Sequence, residues 1–220
     1  MTLDAVCFDL DGTIVDSRAG IEAALRAAVR EVLPGRELGQ LDGLVGPPLE
    51  VMLERLLPDL DAPRQAVASA FRRHYDSEGW QSAVPYPGIP EALDALAAGG
   101  LRLDLVTNKR SAPTRLILGT PALAGRFALA VSLDTVAPSH RTKADALAAL
   151  VRATGLSPSS VAYVGDSEED RIAAIAATCP FVAVGWGYGG VAETAQPTDL
   201  GVVANPWELP LLLLSPKNRS

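Results

Sequence analysis

Apolar residues change rhythm twice along this chain. Near the start, Ala5-Val6-Cys7-Phe8 is an unbroken apolar run that stops at Asp9-Leu10-Asp11-Gly12-Thr13. A short run bounded by turn residues predicts a buried strand of a mostly parallel sheet. A brief link ends at Asp16-Ser17, either of which can cap a following helix. There Ile21, Ala24, Leu25, Ala28, Val29, Val32 and Leu33 recur in alternating steps of three and one, which is an amphipathic helical period. Pro34-Gly35 stops that helix, Gly46-Pro47-Pro48 marks another turn, and helical patterns follow over residues 49–57 and 63–78. No convincing strand falls within 16–82.

From Tyr86-Pro87-Gly88 onward strands and helices alternate. A helix carrying Ile89, Leu93 and Leu96 ends at Gly99-Gly100, and a strand over 101–106 runs into Thr107-Asn108-Lys109. Helices are predicted near 113–118, 143–154 and 168–177, and strands at 127–132, 161–164, 180–184 and 201–203. The 161–164 strand ends in Gly165-Asp166-Ser167. Such alternation implies an α/β fold with a doubly wound parallel sheet. The predicted core comprises 1–15 and 83–220, and the all-helical block 16–82 reads as an inserted cap domain over the sheet's carboxyl edge.

Composition narrows the function. In 220 residues, 48% are hydrophobic and the formal charge is −7, with a mean hydropathy of +0.19, which disfavours disorder. The Lys and Arg residues are scattered, arguing against nucleic acid or an anionic membrane as a partner. Cys7 and Cys179 lack a CxxC pair or a nearby His and read as buried thiols of a reducing compartment. No signal-peptide pattern opens the chain. The apolar stretch 209–214 is too short for a membrane span and contains a proline. A cytoplasmic protein is expected.

In an open α/β sheet, ligands bind beyond the carboxyl ends of the strands, near the switch in strand order. This sequence places Asp9 and Asp11, Thr107 and Asn108, and Asp166 at such ends, with Lys143 at a helix start. Asp170 lies four residues after Asp166, so both can face one pocket. Each signal has a plainer reading: Asp11-Gly12 as a turn, Asp166-Ser167 as a helix cap, Thr107-Asn108 as a strand-to-helix turn, Lys143 as a solvated lysine. A lysine at a helix start does oppose the macrodipole unless an anion is near. Acids converging without His or Cys suit a hard cation such as Mg²⁺. The glycines of residues 185–190 do not fit a dinucleotide fingerprint and read as a turn beside the site. His74 and His140 have no partner motif.

Taken together, Asp9-Leu10-Asp11-Gly12-Thr13, Val106-Thr107-Asn108-Lys109, Lys143 and Val164-Gly165-Asp166-Ser167-Glu168-Glu169-Asp170 resemble the motifs of the haloacid dehalogenase superfamily. The likeness is to its phosphoglycolate phosphatase-like members with a helical cap. Softer matches are Val45-Gly46-Pro47-Pro48-Leu49, Tyr86-Pro87-Gly88 and Gly185-Trp186-Gly187-Tyr188-Gly189. Many members carry a proline directly after the motif lysine, where this chain has Ala144. The resemblance implies a Rossmann-like core and a Mg²⁺-dependent phosphatase acting on a small phosphorylated metabolite. It implies Asp9 as nucleophile, Asp11 as acid and base, and a metal site of Asp9, Asp11, Asp166 and Asp170. Thr107, Asn108 and Lys143 would hold the phosphoryl group. Arg18, Gly46, Pro47 and Lys109 are candidates for substrate selection. A phosphomutase on the same core and a non-catalytic phosphoacceptor remain alternatives, and the sequence does not specify an oligomeric state.

Overall fold

The computed structural model describes residues 2–41, 47–58, 61–135 and 140–216. Two compact units emerge, Met1–Val15 with Pro85–Ser220, and Asp16–Val84.

The first unit is built on β1, Ala5–Phe8. The chain leaves and returns through β2 (Val15–Asp16) and β3 (Val84–Pro85), a small two-stranded sheet that the hydrophobic pattern does not reveal because each strand is only two residues long. The later strands are β4 (Arg102–Thr107), β5 (Leu129–Ser132), β6 (Val161–Gly165), β7 (Phe181–Val184) and β8 (Gly201–Val203). They join β1 in a six-stranded sheet of order β5-β4-β1-β6-β7-β8, with every pairing parallel. The chain builds outward from β1 through β4 to β5, then crosses back to β6 on the other side of β1. The switch point therefore lies where β4, β1 and β6 end. A strand's side chains alternate between faces: Ala5 and Cys7 join Val161, Tyr163, Phe181 and Ala183 in one apolar cluster. Against that cluster pack two helices introduced below, and Val6 and Phe8 on the other face are equally buried, which is why β1 reads as a continuous apolar run rather than an alternating one.

The second unit contains α1 (Arg18–Val32), α2 (Leu49–Leu56) and α3 (Asp61–Ser77). Ile21, Ala24, Leu25, Ala28 and Val29 of α1 are buried, as the period predicts, while Val32 and Leu33 are partly buried at the margin of the cluster. Leu25, Val29, Leu41, Leu53, Leu57 and Val67 form a core of this unit's own; each such aliphatic side chain contributes about 1.5–3 kcal/mol on burial. Ser17 occupies the N-cap without a side-chain capping bond to the helix, and the Asp16 carboxylate accepts from the Arg18 N–H at 3.1 Å.

The helices of the first unit are α4 (Ile89–Ala98), α5 (Ser111–Leu118), α6 (Lys143–Thr154), α7 (Glu168–Ala176) and α8 (Glu208–Leu213). Residues of α6 and α7 pack on the Ala5–Cys7 face, and α4 packs with α8. The apolar stretch judged too short for a membrane is α8, with Pro210 tolerated in its first turn. Among the described residues no helix is long and apolar enough to cross a membrane.

Candidate active site

Asp9 is the first residue past β1. Its N–H still donates to the Val164 carbonyl at 2.9 Å, so its backbone is held by β6. The chain then folds back sharply. Ile14 and Val15 both donate to the Leu10 carbonyl, and Gly12 donates to Val15. Gly12 has φ +85°, and a Cβ at that position would collide with the Asp166 carboxylate. Glycine is therefore required both by the backbone region and by the acid it touches. The close neighbour of Gly12 is the Asp166 side chain.

Lys143 opens α6, yet it is not a solvated lysine. Its side chain is only 4% exposed, and Nζ lies 3.0 Å from Asp9 Oδ1 and 2.7 Å from Asp170 Oδ1. These two carboxylates offset the unfavourable end of the helix dipole. The Thr142 hydroxyl caps the helix by accepting from the Asp145 N–H at 3.1 Å. Burial works to neutralise Lys143, but Asp170, then Asp9 and Glu169, hold it charged.

The sequence Gly165-Asp166-Ser167-Glu168-Glu169-Asp170 ends β6 and begins α7. Its two readings both hold: Ser167 is the N-cap in a capping box with Asp170, and acids are also presented to the site. Asp170 is fully buried. Its Oδ2 accepts from the Ser167 N–H (3.0 Å) and hydroxyl (2.6 Å), while Oδ1 meets Lys143 and the Tyr163 hydroxyl at 3.2 Å. Asp166 Oδ2 accepts from the backbone N–H groups of Tyr188 (3.0 Å) and Gly189 (2.9 Å), and Thr13 Oγ1 is 3.5 Å from Oδ1. The glycine loop is thus the cradle of Asp166, and Trp186 Nε1 ties it to the Thr13 carbonyl at 3.0 Å. A Cβ on Gly187 would overlap both Asp166 and the Gly12 carbonyl.

One carboxylate oxygen from each of Asp9, Asp166 and Asp170 lies within 4.8 Å of the others. Burial first, and then neighbouring acids, push Asp9 well above the usual carboxylate range, with Lys143 opposing. Asp166 is pushed up to about 6, again by burial and then by Asp170, against the Gly189 and Tyr188 N–H groups and Lys143. Buried oxygen donors with raised proton affinity form a set that a hard divalent cation would satisfy. Asp9 and Asp166 fit as direct ligands. Both Asp170 oxygens already serve Lys143, Tyr163 and Ser167, so Asp170 fits as their anchor.

At the end of β4, the buried Thr107 hydroxyl accepts from the Lys109 N–H at 3.1 Å, which does not use the hydroxyl's own hydrogen. Asn108 Nδ2 donates to Glu169 Oε2 at 2.9 Å, while its Oδ1 is buried without a partner among the described residues. Lys109 Nζ reaches Asp11 Oδ1 and Oδ2 at 2.8 and 2.9 Å.

Asp9, Asp11, Thr107, Asn108, Lys109, Lys143, Asp166 and Asp170 thus gather at the carboxyl ends of β1, β4 and β6. Arg18 begins α1, and Pro47 precedes α2, both in the helical unit; Gly46 lies outside the described residues. The helical unit also has a cavity of about 410 Å³ lined by residues including Glu50, Leu53, Arg64 and Arg72, none of them a predicted site residue. His74 pairs with Glu31 at 2.9 Å. Both cysteines are buried and unpaired. Sequence reasoning missed Tyr163, Glu169 and the Tyr188–Gly189 amides. Tyr163 sits in an apolar strand with no polar marker, and backbone donors leave no trace in side-chain chemistry.

A doubly wound α/β core with a carboxylate and lysine centre at its switch point defines a class of proteins that bind ligands beyond the carboxyl ends of their strands. Within it the chain is a member of the haloacid dehalogenase-like hydrolase family, whose model matches residues 6–184. Relatives include a phosphoglycolate phosphatase of Xanthomonas campestris pv. campestris, 36% identical with 84% of each chain covered. Another, from Escherichia coli (strain K12), is 30% identical over 87% of this chain and 86% of its own. The structure of a predicted phosphatase from Clostridium acetobutylicum superposes with a TM-score of 0.85 at 25% identity, covering 97% of this chain and 99% of that one. A haloacid dehalogenase-like hydrolase from Streptococcus pneumoniae shares the fold at 0.83 and 24% identity, over 94% and 96%.

Proposed function

We propose that this protein is a Mg²⁺-dependent phosphomonoesterase that hydrolyses a small phosphorylated metabolite through an aspartyl-phosphate on Asp9. The observation that carries the reading is the buried Lys143 bridging Asp9 and Asp170 at 3.0 and 2.7 Å. An unprotonated aspartate is a weak nucleophile towards an anion, and an ammonium on one of its oxygens lowers that repulsion while leaving the other oxygen to attack. Asp11, one turn of loop further on, is the acid that protonates the leaving oxygen and then the base that takes a proton from water. Thr107 and Asn108 supply hydrogen-bond donors to the phosphoryl oxygens, with Lys143 completing the charge balance.

Mg²⁺, held by Asp9, Asp166 and the Asp11 backbone carbonyl, would supply the positive charge that the carboxylates and a phosphate dianion together require. Asp170 keeps Lys143 charged and in place, and the glycine loop holds Asp166. The names of the relatives favour phosphoglycolate as a first substrate to try. The residues Arg18 and Pro47 remain candidates for leaving-group selection from the helical unit.

Purified protein is expected to release phosphate from members of a panel of phosphate esters in Mg²⁺ and to stop in EDTA. The panel comprises phosphoglycolate, nucleoside monophosphates, sugar phosphates and pyrophosphate. Isomerisation of a sugar phosphate without net phosphate release would instead indicate a mutase.

A further inference from the structure

Lys109 stands in the link between β4 and α5, and its ammonium spans both carboxylate oxygens of Asp11, 98 positions earlier, at 2.8 and 2.9 Å. The pair is not a solvated surface bridge: the side chains are 6% and 16% exposed. Each partner is fixed from its own backbone. Lys109 N–H bonds Thr107 Oγ1 at 3.1 Å, and Asp11 bridges to Val15 in the tight loop after β1. The site's two lysines therefore divide the work. Lys143 contacts Asp9 and Asp170, and Lys109 contacts Asp11.

An aspartate has three staggered χ1 wells and a broad χ2, so its carboxyl group samples several directions unless it is held. A donor bonded to both oxygens removes both freedoms at once, and a carboxylate's remaining lone pairs are left for proton traffic. We propose that Lys109 is a positioning residue that fixes the Asp11 carboxyl group for proton transfer at the leaving oxygen. This rests on the phosphomonoesterase reading above. In the first step an Asp9 oxygen forms a bond to phosphorus as the bond from phosphorus to the leaving oxygen breaks, and that oxygen takes the Asp11 proton. In the second, a water oxygen forms a bond to phosphorus as the bond from phosphorus to the Asp9 oxygen breaks, the water's proton passes to Asp11, and phosphate departs, leaving Asp9 as the carboxylate and Asp11 as the acid. A misdirected Asp11 slows the first step in proportion to how badly the leaving oxygen needs a proton. An alkoxide needs one; a nitrophenolate hardly does.

The test compares Lys109→Met with wild type on two esters in Mg²⁺: phosphoglycolate, or another alkyl phosphate of the panel that wild type hydrolyses, and p-nitrophenyl phosphate. Expected is a loss in kcat/KM, which reports the first step alone, of about 10²-fold on the alkyl ester and only a few-fold on the aryl ester, the scale of misplaced general-acid catalysis. Lys109→Arg, which keeps a charged donor, is expected to recover part of the alkyl rate. In an Asp11→Asn background, Lys109→Met is expected to add little further loss, because the group it positions is gone. Equal losses on both esters, no loss on either, or full additivity with Asp11→Asn would overturn the assignment. If Lys109→Met does not fold, the two-ester comparison is made on Lys109→Arg, where unequal rates support the assignment and equal rates oppose it. Wild type releasing phosphate from no ester would defeat the phosphatase reading itself, an outcome distinct from all of these.

Discussion

Asp170 illustrates how a single side chain can serve two structures at once. It closes the capping box of α7 and pins Lys143, so its loss should be felt in both stability and rate. Asp170→Asn is expected to cost about 1–3 kcal/mol through the weakened cap and the loss of one of the two carboxylates that contact the buried lysine, read as a shift in Tm. It should weaken Mg²⁺ binding by calorimetry less than Asp166→Asn does, since its oxygens are already engaged. Asp166 carries a pH signature. Its carboxyl is raised from 3.8 to about 6, so between those values the folded, metal-free protein holds a proton that the unfolded chain has lost. Stability from this group is therefore complete below the window and declines as pH rises through it, by up to about 3 kcal/mol. Melting in EDTA from about pH 4 to 7 should show a decline that Asp166→Asn reduces and that Mg²⁺, favouring the charged form, offsets. Of these residues the acids and Lys143 were legible because their types and their places at strand ends or helix starts mark the chemistry. That Lys109 belongs to Asp11 was not legible: a lysine's reach across 98 positions depends on strand order, and the sequence offered only a candidate for substrate selection.

Among elements, long apolar runs and helical periods located β1, β4, β6, α1 and α6 closely, because burial on one or both faces dictates their composition. The two-residue strands β2 and β3 are held by backbone pairing and leave no pattern. The loop after β7 shows the same limit. Its glycines could be read as a turn beside the site, but not that the Tyr188 and Gly189 amides would hold Asp166. Gly187→Ala puts a methyl where the Asp166 side chain and the Gly12 carbonyl lie. Such overpacking costs about 1–3 kcal/mol and displaces the carboxylate, so this variant should bind Mg²⁺ more weakly than wild type even at temperatures where circular dichroism shows it folded. Unchanged Mg²⁺ affinity would mean that the loop does not set the position of Asp166.

For the molecule as a whole, the sheet order places the ends of β4, β1 and β6 side by side, and residues from 9 to 170 thereby share one centre of carboxylates and two ammonium groups. The family assignment makes the chain a hydrolase; on the proposed reading its chemistry belongs to the α/β unit, and the helical unit, with its own core, governs which ester is accepted. The most direct measurement of the central claim is phosphate release from p-nitrophenyl phosphate in saturating Mg²⁺ by wild type and by Asp9→Asn. Removing the nucleophile but keeping its shape is predicted to lower kcat by about 10³-fold or more, with Tm little changed. Release by Asp9→Asn at the wild-type rate would contradict the account.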